Sequence, residues 1–359
     1  MIPDSSETTV NVFLRKFDKI LNFVLSLRGK TFSDEVSFLL EKALDHLKVI
    51  DTSNTNDDAH SALIETLINK QFFSETLNVA TTPLAHVPIL IFSIKALNEL
   101  TNNDRRFHKF ISASPDTFHQ IHQIVMTAYV DKAEVKHALL EFFLCLSKFH
   151  KGREWIWSCG LLQFITQCLE DRAVFIRKTA QELIHNILML STTDQTKEMF
   201  ERLLILMRKH ASELNNKQNQ SDSMEIYLSV LSSYIETNMA ENSTNSSGSE
   251  LISLNIEDFL MNLAQSSVDK KLLGNVCSLM VGIYAKCASE NASETTRWKD
   301  KTLELIKFVL NKELMQATLM VVSKSLFYWS NLKSNTEFQL GLVHIMVIWL
   351  RRTHLIENL

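Results

Sequence analysis

The stretch KGREWIWSCGLLQFITQCLEDRAVFIRKTAQELIHNILMLS, residues 151–191, decides the fold. Apolar residues in its first half predict two short helices separated by Gly160, whose missing side chain permits a turn. After the polar residues 170–172, apolar side chains recur at steps of three and four, which predicts a long helix with one buried face. Asp171 is placed to cap that helix.

The order of short helix, glycine, short helix, acidic break and long helix resembles an armadillo repeat. The resemblance implies an all-α fold, a right-handed α-solenoid of armadillo/HEAT-like repeats in which the long helices line a concave groove. It rests on six residues of the stretch: Gly160, Asp171, Ala180, Leu183, Asn186 and Ile187.

Length and composition agree with a repeat array. The chain has 359 residues, more than the ~250–300 that share one hydrophobic core, so two domains or an array are expected. It contains only seven Gly and four Pro, and no Pro follows Pro115, which favours helices over a turn-rich β fold. We predict a single elongated array over residues 1–359, with long helices starting near 86, 134, 173, 224, 270 and 315.

One polar segment interrupts this pattern. ENSTNSSGSE, residues 241–250, has no apolar side chain. Such a segment has nothing to bury, so we expect a mobile loop inside the array.

The charge and cysteine content indicate which cellular compartment and which classes of partner to expect. The chain has 37 Lys and Arg against 41 Asp and Glu, and this net charge of −4 gives no basic excess for binding phosphates. Its five cysteines have no paired spacing, which indicates free thiols in a reducing compartment. Because the N-terminal residues lack a charged-then-apolar leader, we expect the protein to be cytosolic or nuclear.

Candidate catalytic and metal sites are weak. His119 and His122 lie one helical turn apart, with His108 nearby, a set that zinc accepts, although partly exposed surface positions are the preferred interpretation. Cys159 has no defined base and orienting group for nucleophilic catalysis. No phosphate-binding loop occurs either. We therefore expect that the protein is not an enzyme and that it binds no metal ion or cofactor.

Tryptophan and basic residues are candidate binding positions. Trp155 and Trp157 are two positions apart and cannot share one helical face, so one should be buried. A nucleic-acid or phosphoinositide-binding function is the alternative to protein binding. It would use Arg105, Arg106, Lys109, Arg351 and Arg352.

The armadillo resemblance assigns the groove. In armadillo units the position of Asn186, and the position four residues earlier, face the concave surface. Matching each long helix in turn implies a protein-binding groove that is acidic rather than lined by asparagines. Its predicted residues are Lys95, Glu99, Glu141, Cys145, Glu182 and Asn186.

Residues 160–188 also resemble a segment of the ATM-activating scaffold family associated with the breast-cancer type 1 susceptibility protein. The glycine, the acidic break and the closing A-x-x-L pattern fall in the same register. The resemblance implies a non-enzymatic scaffold in DNA-damage signalling that is shared between cytoplasm and nucleus. It also implies that the protein binds the ATM kinase and the Integrator endonuclease module. That family's C-terminal tail carries cysteines, and no Cys follows Cys287 here, so the tail's role does not transfer.

Overall fold

The computed structural model describes the residues in the ranges 5–27, 34–52, 57–78, 87–127, 131–213, 220–240, 247–267, 269–312, 314–330, 332 and 336–352. These residues form α-helices joined by turns and short 3-10 segments, and they contain no β-strand. The prediction of an all-α fold is therefore confirmed.

The chain divides into two compact units, Met1–Asn186 and Ile187–Leu359, and the division falls within α11. The helices up to this point are α1 (Ser5–Ser26), α2 (Asp34–Thr52), α3 (Asp57–Asn69), α4 (Phe72–Thr76), α5 (Val87–Leu100), α6 (Asp104–Ala113), α7 (Pro115–Val125), α8 (Ala133–Ser147), α9 (His150–Ser158), α10 (Leu162–Gln167) and α11 (Val174–Leu190). Those that follow are α12 (Thr193–Glu213), α13 (Gln220–Ala240), α14 (Ser247–Ser253), α15 (Ile256–Ser266), α16 (Lys270–Glu290), α17 (Thr295–Asn311), α18 (Met315–Ser330) and α19 (Thr336–Arg352).

The repeat spacing agrees with the predicted one. The long helices α5, α8, α11, α13, α16 and α18 begin at residues 87, 133, 174, 220, 270 and 315. Each start lies within four residues of its predicted position. Whether the two units form the one continuous array that was predicted over residues 1–359 stays a prediction.

Three long helices organise the first unit. Helices α2, α5 and α8 pack side by side, with α5 in the middle of the row. This position explains the apolar composition of α5, because Leu90 and Ile94 are fully buried between the two flanking helices and the shorter helices around them.

Aromatic rings fill the space between the row and the short helices. The ring of Phe118 lies edge to face with Phe107, at 5.2 Å between centroids, and with Trp155, at 5.3 Å. Such offset arrangements suit the ring quadrupoles. Trp155 is buried, whereas Trp157 is half-buried, so the prediction that one of the two tryptophans is buried is confirmed.

The stretch 151–191 folds as the sequence indicates. Gly160, between α9 and α10, has a φ of +67°, the left-handed region that favours glycine. Asp171 Oδ1 accepts a hydrogen bond of 2.8 Å from the Ala173 amide, which forms an Asx turn that leads into α11. Because Ala173 precedes the first residue of the helix, this bond does not cap the amides of α11 itself, contrary to the prediction. Ala180 and Leu183 of α11 are fully buried.

The second unit is built around α16. This helix packs against α13, α14, α15, α17 and α18. By length and composition α16 is also the one helix within the described ranges that is long and apolar enough to cross a membrane, but 89% of its apolar window is buried inside the protein. A core helix has the same composition, and α16 occupies that position here.

The polar segment 241–250 is only partly described. Residues 241–246 lie outside the described residues. Residues 247–250 begin α14, in which Ser247 and Gly248 are buried, so the expectation that the whole segment buries nothing is wrong for these residues. The reason is tertiary: a Cβ on Gly248 would lie 2.9 Å from the backbone nitrogen of Cys287, an approach that only glycine permits.

Candidate functional site

The packing of α2, α5 and α8 leaves an open groove of about 550 Å³ along their shared surface. Each helix contributes two residues that are four positions apart and therefore lie on one helical face. They are Glu41 and Asp45 of α2, Lys95 and Glu99 of α5, and Glu141 and Cys145 of α8, and the lining is completed by Leu44, Asn98, Asn102, Leu144 and Lys148.

Four of the six residues predicted from the sequence meet in this groove: Lys95, Glu99, Glu141 and Cys145. The other two, Glu182 and Asn186, lie on α11 and do not line it; Glu182 is exposed and Asn186 is half-buried. The role of all six in binding stays a prediction.

Two lining residues escaped the sequence analysis. Glu41 and Asp45 belong to α2, whose apolar pattern was not aligned with those of the later long helices. The apolar stripe of α2 contains the signal, because Leu40 and Ala43 face the core and Glu41 and Asp45 follow them at an offset of one to two residues. In α5, Ile94 and Leu97 precede Lys95 and Glu99 by the same offset.

The groove carries more negative than positive charge. Its lining contains the four carboxylates of Glu41, Asp45, Glu99 and Glu141 against the two ammonium groups of Lys95 and Lys148. A concave surface with charge mainly of one sign concentrates the field above it. The groove therefore favours positively charged ligands.

Two carboxylates of the groove lie near basic side chains in contacts that are partly exposed to solvent. The Glu141 carboxylate lies 3.8 Å from His137 Nδ1, and the Asp45 carboxylate lies 3.4 Å from Lys42 Nζ. Exposed pairs of this kind contribute little to stability and are readily exchanged for a ligand. The Oδ1 atom of Asn98 is shielded from solvent and accepts no hydrogen bond from the described residues.

The histidines do not assemble a metal site in the described part of the chain. His108 and His119 are exposed, on α6 and α7, and His119 Nε2 lies 2.9 Å from the Gln123 amide nitrogen. Among the described residues, no group of three or more His, Cys, Asp or Glu is arranged to hold a metal ion.

The cysteines are poor candidates for catalysis. All five are free thiols. Burial raises the pKa of Cys168, Cys277 and Cys287 to about 12. Burial also raises the pKa of Cys159, an effect that a hydrogen bond with Ser158 partly opposes. Since the thiolate is the nucleophilic form, these shifts disfavour nucleophilic chemistry.

The basic residues of the alternative hypothesis are divided between the two units. Arg105 and Lys109 are exposed on α6, and Arg106 Nη1 donates to Asn102 Oδ1 at 3.1 Å. Arg351 belongs to the other unit. The side chain of Arg352 lies outside the described residues. Nothing in this distribution favours nucleic acid or phosphoinositides over a protein.

The second unit contains a polar cluster that is structural. The Glu257 carboxylate accepts hydrogen bonds from Tyr284 Oη at 2.8 Å and from Lys301 Nζ at 2.5 Å. Burial raises the pKa of Tyr284, and the Glu257 charge raises it further. The phenol therefore stays protonated at neutral pH and anchors α16 to α15 rather than exchanging protons.

Comparison with known proteins gives structural neighbours only. No protein-family model matches the chain, and no curated protein matches its sequence. A computationally designed armadillo repeat protein for modular peptide recognition superposes with a TM-score of 0.44 at 14% identity, covering 74% of this chain and 99% of the other. A designed armadillo repeat protein in complex with the peptide (KR)4 has a TM-score of 0.42 at 15% identity, covering 73% and 99%.

The class of the fold follows from the helices themselves. Long helices recur at steps close to the predicted ones, and within each unit they stack in a row with shorter helices packed against them. In each row the neighbouring long helices bury their apolar stripes against one another, as solenoid units do. The chain is an all-α helical-repeat protein of the α-solenoid class.

Proposed function

We propose that the protein is a non-enzymatic protein–protein interaction scaffold whose groove over α2, α5 and α8 binds an extended peptide segment rich in lysine and arginine. The observation that carries the proposal is the row of carboxylates along this groove. Glu41, Glu99 and Glu141 each come from a different helix of the row, and negative charge is in excess.

The spacing of the helices limits the ligand. Packed helices lie about 8–10 Å apart. A polyproline-type extended peptide has three residues per turn and advances about 3.1 Å per residue, so every third side chain meets the next helix. A segment with Lys or Arg at every third position therefore matches the row of carboxylates.

The amide side chains of the groove suit a peptide backbone. An asparagine amide both donates and accepts hydrogen bonds, as a peptide group does. The Oδ1 atom of Asn98 lacks a donor among the described residues, and rotation of this side chain would present it to a ligand N–H group. Backbone contacts of this kind add affinity without demanding a particular ligand side chain.

Peptide binding in vitro tests the proposal. Two fluorescent peptides of about 12 residues, one with Lys and one with Glu at every third position, are compared by anisotropy with the full chain. We expect only the Lys peptide to bind, and added salt to weaken it. The double variant Glu41→Lys/Glu141→Lys should reduce its affinity about tenfold or more, because attraction becomes repulsion at two helices.

The matched control is Glu65→Lys, which makes the same change at an exposed position of α3 that does not line the groove. It should leave the affinity within about twofold of the original, apart from long-range screening effects. Equal binding of both peptides, or equal losses in the groove variant and the control, would contradict the proposal.

The resemblance of residues 160–188 to the ATM-activating scaffold family supports a narrower proposal about partners in the cell. We propose that the partners include the ATM kinase and the Integrator endonuclease module, that the pathway is DNA-damage signalling, and that the protein is shared between cytoplasm and nucleus. Affinity purification from both compartments, before and after DNA damage, tests this. Recovery of other stoichiometric partners without either of these two would contradict it.

A further inference from the structure

Helix α19 is held to the second unit by one of its faces. Leu342 is fully buried, and the Phe338 ring lies 4.9 Å from the ring of Trp329 on α18. Gln339 Nε2 donates to the Trp329 carbonyl oxygen at 3.1 Å. These contacts fix the rotation of α19 about its axis and decide which residues face outward.

The opposite face of α19 is exposed and partly apolar. The side chain of Leu340 is 65% exposed and that of Ile348 is 41% exposed. Large apolar residues in one exposed stripe often mark an interaction surface. The stripe follows the steps of three and four expected for one helical face; its exposed members are Glu337, Leu340, Gly341, His344, Ile348 and Arg351.

Gly341 is a second observation that points to a partner. Glycine inside a helix weakens it relative to alanine. Apart from the adjacent residues and the backbone of α19 itself, no atom of the described structure lies within 4 Å of the position where a Cβ on Gly341 would stand. No internal contact therefore needs a glycine here, whereas the close approach of another helix does.

The stripe is complementary to itself. His344 lies at its centre, with Glu337 seven residues before it and Arg351 seven residues after it. Leu340 and Ile348 lie four residues before and after the same centre. When two such helices pack antiparallel about His344, each glutamate meets an arginine and each leucine meets an isoleucine. This is the pairing of a two-fold symmetric interface, in which one surface serves both copies.

We propose that α19 is a homodimerisation surface and that it packs antiparallel against α19 of a second copy of this chain. The Glu337 carboxylate of each copy pairs with the Arg351 guanidinium of the other. Within the described residues neither group has an ion pair inside its own chain. Gly341 allows the two helix backbones to approach.

A neighbouring groove extends the apolar contact. Phe327 of α18, which is 45% exposed, lines a groove of about 460 Å³ together with Leu340 and Val343. In the antiparallel pair, Ile348 of the second copy lies opposite Leu340 and therefore enters this groove. The pocket receives an apolar side chain, as its lining requires.

The size of the surface sets the strength of the dimer. The stripe from Glu337 to Arg351 is about 21 Å long at 1.5 Å per residue. A single pair of helices this long buries less than the ~1,600 Å² of a standard interface. We therefore expect a weak dimer with a dissociation constant on the order of 10 µM.

Sedimentation velocity of the full chain tests the proposal between about 1 and about 100 µM. The mass should rise from monomer to dimer across this range. Glu337→Arg and Arg351→Glu should each weaken association about tenfold, because each replaces two attractive pairs with two repulsive ones. Leu340→Asp should abolish it, and since Leu340 is exposed, this variant should still fold.

Variants that exchange the charges of positions 337 and 351 provide the decisive test of the antiparallel pairing. Mixing Glu337→Arg with Arg351→Glu creates two attractive pairs between the different chains, so a heterodimer should form at concentrations at which each variant alone is mostly monomeric. The double variant Glu337→Arg/Arg351→Glu should self-associate as the original does. Glu304→Arg, a reversal at an exposed position of α17, is the control and should leave the dissociation constant unchanged.

Three results would overturn the proposal. The chain could stay monomeric at about 100 µM, which would mean that the exposed stripe of α19 does not bind a second copy. Association could persist unchanged in Leu340→Asp, which would place the interface elsewhere. Finally, the two single variants could fail to associate when mixed although each is folded by circular dichroism, which would exclude the antiparallel pairing.

Discussion

The ion pair between Lys136 and Asp171 should couple two successive repeats of the first unit. Lys136 is on α8, and Asp171 lies just before α11. The side chains are 19% and 13% exposed, so water screens the pair only partly. Asp171 Oδ1 also accepts a hydrogen bond from the Ala173 amide. Removing either charge therefore leaves its partner poorly compensated.

The magnitude follows from this partial burial. Breaking a fully buried pair costs about 3–5 kcal/mol, whereas an exposed pair contributes about 0–1 kcal/mol. We expect Asp171→Asn to lower the free energy of unfolding by about 1–3 kcal/mol, since the amide oxygen can still accept from Ala173. In a double-mutant cycle with Lys136→Met, the coupling energy should be about 1–2 kcal/mol.

The pH dependence has a definite sign. Burial by itself would raise the pKa of Asp171, but hydrogen bonds from Lys136 and the Ala173 amide, with the positive charges of Lys136 and Arg177, lower it below its ordinary value of 3.8. A depressed carboxyl pKa contributes stability above the unfolded pKa and loses it as pH falls through the folded pKa. The cost of Asp171→Asn should thus be constant near neutrality and shrink below pH 3.8.

Urea unfolding followed by circular dichroism measures these quantities for each variant at several pH values. The control is Glu154→Gln, which removes a carboxylate that lies 3.5 Å from Lys151 where both side chains are 52% exposed. The control should change stability by less than about 0.5 kcal/mol. A coupling energy indistinguishable from zero, or a cost of Asp171→Asn that persists undiminished in acid, would refute the reasoning.

Two further predictions concern the stability of the two units. Ala180→Asp or Leu183→Asp should destabilise the first unit by about 3–5 kcal/mol, because both positions are fully buried and an unpaired charge there cannot be solvated. The control Glu182→Ala, at an exposed position, should leave stability unchanged. Unchanged thermal melting of the aspartate variants would contradict the burial of these positions. In the second unit, the Glu290 carboxylate accepts hydrogen bonds from the amides of Gly248 and Ser249, both at 2.9 Å. Glu290→Gln should therefore lower the free energy of local unfolding of α14 by about 1–2 kcal/mol, which amide hydrogen exchange at Ser249 would report as a faster rate. Exchange at α14 that does not respond would show that the carboxylate does not hold this helix.

Local pattern was sufficient to predict the helices. In α11 the steps of three and four among buried residues, the preceding acid and the glycine before α10 are short-range signals, and each predicted its element correctly. The spacing of the long helices followed for the same reason, because the start of each long helix was predicted from apolar residues at the same steps of three and four. Four of the groove residues were found through the register of single helices.

Long-range packing decided what the local pattern could not. Ser247 and Gly248 read as loop residues, yet they are buried because α16 and its Glu290 carboxylate lie against them. Glu41 joins the groove because α2 packs beside α5, a contact between residues far apart in the chain. Helical periodicity states which residues share a face. Only the packing of other helices determines whether that face is core, groove or open surface, as for the two sides of α19.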